Sequence, residues 1–475
     1  VNILVNAKQR TILFLIADTG AGHRSAANAI RNALHLISQQ EQDEWLQRSD
    51  AEAGSEEKQA PPPHYNVEIV DVFEEYSRFP LREFVKLYGP AIRYNPKLYG
   101  DVFHLSNRVG TVTAVNTMTT PLLLNGLKRL IISVQPDIIV SIHPMINHVT
   151  IRALRSLGLK IPFLTVVTDL VSVHHFWLAE GADGYILPTE EAKKLYLERG
   201  LDPKRMHVLG MPIDPKFSRP IASKEELRQK FGLTPGLPVI LLVGGGDGAG
   251  GLQTAVKAIS QARLPVQLLV VTGRNKRLYA NLQRTRTRLH VPAQIFGFVD
   301  NMPELMHAAD VLITKAGPGT ICEALACNLP LILSGYVPGQ EEGNVDFVVQ
   351  NGVGVLALDP RTLVNELRKL IKPGSKVLQQ RLENAKALSR PEASFDIARC
   401  ILSYIPANQE MDPWESPQWL RRQRHLTERL RSAVRLRPLS ARFPHTLLKN
   451  PATRRSTQTH DLSDISDVWE TNKRK

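Results

Sequence analysis

A repeated alternation constrains this chain more than any other feature. Twelve short apolar runs are separated by helix-length stretches such as "RSAANAIRNALHLI" and "EEAKKLYLERG". Six come early ("TILFLIA", "NVEIVDV", "DIIVSIH", "PFLTVVTD", "GYILPT", "HVLGMP"), and six follow ("PVILLVGG", "VQLLVVTG", "AQIFGF", "VLITKAG", "PLILSG", "GVGVLAL"). Strands apolar along their whole length are buried on both faces, which requires a parallel sheet covered by helices on each side. The segment "DPKFSRPIASKEELRQKFGLTPG" separates the two series. At 475 residues the chain is also too long for one ordinary core. The expected fold is therefore α/β: two doubly wound, Rossmann-like domains facing a cleft, over residues 1–215 and 216–405. In such sheets ligands gather beyond the carboxyl ends of the strands, where strand order reverses.

Two stretches break the rhythm. Residues 41–63, "EQDEWLQRSDAEAGSEEKQAPPP", are acidic, polar and end in prolines, and are expected to form a disordered insertion. Residues 406–475 form a basic extension. Eleven Lys and Arg residues lie between Arg421 and Arg455 against the single carboxylate of Glu428, about ten of the chain's +13 net charges. In "WLRRQRHLTERLRSAV", Trp419, Leu426, Leu430 and Ala433 fall on one helical face, with Arg424, Arg431 and Arg435 opposite. That basic amphipathic helix either meets a membrane surface or packs back on the body; beyond Pro438 disorder is expected. A nucleic-acid enzyme would carry its positive charge around the cleft, so no nucleic-acid partner is expected. No apolar run reaches the length of a membrane span, and no leader is visible. The three cysteines (Cys322, Cys327, Cys400) suggest neither a disulfide framework nor a metal site, and fit a reducing compartment.

Three glycine-rich turns lead from a strand into a helix: "DTGAGH" (Asp18–His23), "GGGDGAGG" (Gly244–Gly251) and "KAGPGTICEAL" (Lys315–Leu325). Glycine lets backbone amides approach a ligand, and a helix N-terminus adds partial positive charge, so two such turns on one rim suit a diphosphate. Neither is followed by the Gly-Lys-Ser/Thr of a nucleotide-triphosphate loop, and the dinucleotide fingerprint is absent. Glu323, one turn into its helix, can accept from two vicinal hydroxyls of a ribose or simply complement the helix dipole. In "PGQEEGNVDF", Gln340, Glu341 and Asn344 suit a polyhydroxylated ligand or a solvated loop. The histidines lack metal-binding spacing, so no metal is expected.

The segments "DTGAGHRSAANAI", "SIHPMINHV", "VVTDL", "LVGGGDG", "VTGRNKRL", "GFVDNMPELMHAADVLITKAGPGTICEAL" and "GYVPGQEEGNVDFVVQNGVG" resemble, in order over residues 10–400, the monogalactosyldiacylglycerol synthase branch of glycosyltransferase family 28. The resemblance implies a GT-B fold and inverting transfer of a hexose, galactose before glucose, from a UDP-sugar to diacylglycerol. It implies a donor site in which Gly317, Pro318, Gly319 and Thr320 lie against the diphosphate and Glu323 at the ribose. Gln340, Glu341 and Asn344 would face sugar and phosphate, with Arg274 and Gly246 nearby. No cofactor is implied. On the acceptor side Gly22, His143, His174 and Trp177 are candidates, although His175 and Phe176 depart from the family's residues between the last two. A helix N-terminus disfavours imidazolium, so a neutral His23 can take the acceptor's proton; Asp169 is the other candidate base. The expected partners are UDP-hexose and diacylglycerol at an anionic membrane surface, with peripheral attachment on its cytoplasmic face. Rival readings are a processive UDP-glucose transferase, a UDP-N-acetylglucosamine enzyme (a lipid II-type transferase or 2-epimerase), and a non-catalytic nucleotide-sugar sensor.

Overall fold

The computed structural model describes residues 9–18, 22–51, 60–86, 96–219, 222–244, 251–406 and 414. All twelve apolar runs become strands. The first sheet contains β1 (Gln9–Ile16), β2 (His64–Asp71), β3 (Ile138–Ser141), β4 (Phe163–Val166), β5 (Gly184–Leu187) and β6 (Met206–Val208), in the order β2-β1-β3-β4-β5-β6. The second contains β7 (Val239–Val243), β8 (Gln267–Val271), β9 (Ala293–Phe296), β10 (Val311–Lys315), β11 (Leu331–Gly335) and β12 (Gly354–Leu356), in the order β12-β11-β10-β7-β8-β9. Every pairing is parallel. Strand order therefore reverses between β1 and β3 in one sheet and between β7 and β10 in the other. The turns after these strands are where ligands belong.

Each sheet is packed on the pattern its sequence sets. Ile12, Phe14 and Ile16 alternate along β1 onto one face, against Ala26, Ala27, Ile30, Ala33, Leu34 and Ile37 of the helix Gly22–Ala51. Around β7, the alternation puts Val239, Leu241 and Val243 in one core and Ile240 and Leu242 in the other, so both faces are filled.

Two expectations need correcting. The first helix does not stop before residue 41: it runs to Ala51, so residues 41–51 are helical and not part of a disordered insertion. Strong helix formers and the exposed Glu44–Arg48 and Gln40–Glu44 pairs carry it past the end of its apolar stripe. Residues 52–59 lie outside the described residues. Second, the last helix, Ala393–Ser403, falls in the range expected for the second domain (216–405) but packs against the first helix and the first sheet. Phe395, Ile397, Ala398 and Ile401 are buried in the core of β1, β3 and β4. Burying a side chain of that size stabilises by about 1.5–3 kcal/mol, so the chain's return ties the first half shut. The basic extension, apart from Trp414, lies outside the described residues from 407 onward.

Candidate active site

At the first reversal point, the turn after β1 hands directly into a helix whose second residue is His23. Asp71, at the end of β2, accepts the Asp18 N–H at 2.8 Å, and Asp18 in turn receives Arg24 through both carboxylate oxygens at 2.7–2.9 Å. Residues 19–21 are outside the described residues; Gly22 is exposed at the helix start. The His23 ring lies 4.8 Å from that of His143, which follows β3, and its Nδ1 is 3.2 Å from the Thr168 hydroxyl just beyond β4. Burial pulls the His23 pKa down to about 4 against the opposing hydrogen bond to Ile142 and the charge of Asp18. Burial lowers His143 too, helped by His23 beside it. Both rings are therefore neutral at pH 7.

Asp169 is next along the same rim. Its Oδ2 accepts Trp177 Nε1–H at 2.8 Å and the His174 N–H at 3.3 Å. Burial raises its pKa to about 6 despite both bonds. Trp177 is fully buried, so its indole N–H fixes the carboxylate while its ring, 6.4 Å from His23, closes the floor. His174 stacks on Phe176 at 4.9 Å, and its Nε2 lies 3.1 Å from Ser106 Oγ. Burial, and secondarily His175, depress its pKa to about 4.

The second rim is built differently. β10 ends at Lys315, the Gly317 N–H donates to the Lys315 carbonyl at 2.8 Å, and the helix Pro318–Ala326 begins at once. A Cβ on Gly317 would sit 3.1 Å from Lys315 Nζ, so the ammonium lies over the turn. Lys315 pairs with Glu341 Oε1, while Glu341 Oε2 accepts the Val337 N–H at 2.9 Å. Asn344 is buried and donates to the Ala316 carbonyl at 2.9 Å. Tyr99 donates to Gln340 Oε1 at 3.0 Å. Pro318, Gly319 and Thr320 are half-buried on the rim, and no atom would meet a Cβ on Gly319 within 4 Å. Glu323 is pushed up to about 7 by burial and then by Asp214. Arg274 stands 5.4 Å over the ring of Phe298, which is 64% exposed. Gly246 lies outside the described residues.

The structure thus gathers His23, His143, Asp169, His174 and Trp177 on one rim and Gly317, Gln340, Glu341 and Asn344 on the other. The rims touch: a Cβ on Gly343 would collide with Ser172 Oγ, so the loop carrying Asp169 lies against the segment carrying Glu341 and Asn344. Sequence reasoning passed over Asp71, Thr168, Lys315 and Tyr99. Lys315 had a signal available, as the only cation inside "KAGPG"; Tyr99 had none, because its partner is 241 residues away.

Solved structures identify the class. The chain superposes on Acinetobacter baumannii MurG with a TM-score of 0.52 at 15% identity, covering 83% of this chain and 99% of that one. A Neisseria meningitidis UDP-GlcNAc 2-epimerase bound to UDP-GlcNAc gives 0.52 at 14% identity, covering 83% and 100%. The fold is GT-B. Residues 23–213 match the monogalactosyldiacylglycerol (MGDG) synthase family and residues 239–396 the glycosyltransferase family 28 C-terminal domain. A probable chloroplastic MGDG synthase 2 of Oryza sativa subsp. japonica is 37% identical, over 86% of this chain and 84% of its own length. MGDG synthase 3 of Arabidopsis thaliana is 35% identical, over 82% and 81%. The chain belongs to the MGDG synthase family of glycosyltransferases. Among the described residues, no helix is long and apolar enough to cross a membrane.

Proposed function

We propose that this protein transfers galactose from UDP-galactose to the free hydroxyl of diacylglycerol, with inversion at the sugar carbon, and works as a peripheral protein on a membrane surface. The observation that carries the reading is the pairing of a neutral imidazole on one rim with a glycine turn, a buried carboxylate and amides on the other, joined at Ser172 and Gly343. The N–H groups of Gly319 and Thr320, at the start of the helix Pro318–Ala326, hold the diphosphate, with Gly317 and Pro318 shaping the turn against it, and Glu323 receives the ribose hydroxyls. Lys315, paired with Glu341, sets its ammonium beside that turn. Charge growing on the departing UDP meets donors already in place, an arrangement whose loss costs ~10²–10³ in rate.

His23 takes the acceptor's proton. In the free protein its pKa of about 4 makes it a weak base, but the negative diphosphate raises any nearby pKa. The same field pushes Asp169, already at about 6, toward its protonated form. Donor binding therefore makes His23 the better acceptor of the two, and Asp169 holds the Trp177–His174 loop. The basic extension, with about ten excess charges between residues 421 and 455, supplies attraction to anionic lipid headgroups, at ~1 kcal/mol per residue near the surface.

The test is direct. Purified protein is incubated with radiolabelled UDP-galactose or UDP-glucose and diacylglycerol vesicles, and the lipids are separated. A single β-linked galactolipid is expected. Glucolipid, or a ladder of products, would assign the rival donor or a processive reaction; no glycolipid from either donor rejects the transferase reading.

A further inference from the structure

The helix Pro96–Ser106 belongs to the first half of the chain, yet one of its faces is spent on the second. Tyr99, Phe103 and Ser106 are spaced i, i+4 and i+7 and so share a face. Tyr99 donates to Gln340 Oε1 at 3.0 Å. Phe103 fills the space over Gly339, where a Cβ would come within 2.9 Å of its ring, and Gly339 has a φ of +77° that only glycine takes without strain. Gly100 meets Pro338 so closely that its own Cβ would lie 2.9 Å from the proline Cβ. On the other side Phe103 sets its ring edge-on to His174 at 5.0 Å, and Ser106 Oγ lies 3.1 Å from His174 Nε2. Two close glycine approaches and a hydrogen bond hold this helix against the loop Pro338–Gln340.

We infer that Tyr99 is a positioning residue for the hexose of the donor, lent by the first half to a subsite in the second. This rests on Gln340 facing the sugar, as proposed above. A glutamine amide can offer a ligand either its oxygen or its nitrogen, and the two ends select opposite hydrogen-bonding partners. Tyr99 donates to Oε1 and so fixes the turn of the amide that the sugar meets. Because the tyrosine comes from the half that carries His23 and Asp169, the hexose subsite is complete only when the helix Pro96–Ser106 is seated. The diphosphate and ribose contacts at Gly317–Glu323 do not depend on it.

Calorimetry on the full chain tests this without requiring turnover. UDP-galactose and UDP are titrated into the unmodified protein, Tyr99→Phe, Gln340→Ala and the double variant. Loss of one neutral hydrogen bond in Tyr99→Phe should weaken UDP-galactose about three- to tenfold. UDP, which lacks the sugar, should stay within about twofold. The double variant should bind UDP-galactose no worse than Gln340→Ala alone, since Tyr99 acts through that amide. Equal losses for both ligands, no loss for either, or losses that add in the double variant would each overturn the inference. A protein that makes no glycolipid but shows the split keeps this inference and loses the proposed reaction; one that makes glycolipid without the split does the reverse. Absence of UDP-galactose binding by the unmodified protein removes both.

Discussion

The two halves of this molecule share a topology and differ in how they treat charge. Each is a six-stranded parallel sheet whose order reverses once. On the first rim burial suppresses charge: His23 and His174 are held near 4, and Asp169 is raised to about 6. On the second rim a charged pair is kept, with Lys315 on the buried Glu341 beside the turn at Gly317, although burial raises Glu323 there to about 7. A neutral ring can receive a proton and a fixed cation cannot. A fixed cation can hold a diphosphate and a neutral ring holds it less well. One backbone plan has been given two jobs through a handful of side chains at the strand ends.

Breaking the first rim should give the largest effect. His23→Ala removes the base and should lower kcat by ~10²–10⁴-fold, while calorimetry finds UDP affinity nearly unchanged. A parallel loss of UDP binding would mean that the rims do not divide the work. Breaking the second rim comes next. Lys315→Met leaves Glu341 buried without its partner, which should lower unfolding stability by about 3–5 kcal/mol in a denaturant titration. Adding Glu341→Gln should recover most of that stability without recovering UDP affinity. If the double variant binds UDP as well as the unmodified protein, the ammonium is structural only.

The pH dependence sharpens the comparison further. A base must be deprotonated to act, so kcat/KM for the donor, measured in Glu323→Gln to remove the titration at the ribose, should stay level as pH falls from 8 through 6 and drop only toward 4, the His23 range. A break at about 6 would assign the proton to Asp169 instead. The smallest expected effect is at the ribose. Glu323, raised to about 7, is a carboxylate above that pH and neutral below it. UDP affinity should therefore rise several-fold between pH 6 and 8, about the worth of one hydrogen bond gaining charge, and Glu323→Gln should flatten the rise. A pH response that survives in the variant would place the titrating group elsewhere.

Sequence periodicity was enough to find the sheets, because a strand buried on both faces must be apolar from end to end, as in "VILLV" and "QLLVV". It also placed the glycine turn between β10 and the helix Pro318–Ala326. It failed where structure depends on partners distant in sequence. The helix Ala393–Ser403 reads as the close of the second domain, yet its apolar face has its complement in β1 and the first helix. Residues 41–51 read as an insertion because the apolar stripe stops there, although helix propensity and charge pairs do not. Lys315 and Tyr99 escaped notice for the same reason: each is defined by a partner, Glu341 or Gln340, that no local pattern connects to it.

The division between a neutral rim and a charged one can be read directly from the imidazoles. In nitrogen-15 NMR of histidine-labelled protein, the His23 signal, assigned by its disappearance in His23→Ala, should be that of a neutral ring at pH 7. It should titrate near 4 in the free protein and at higher pH once UDP is bound. A His23 that titrates at an ordinary 6.5 and takes no notice of UDP would contradict the account at its centre.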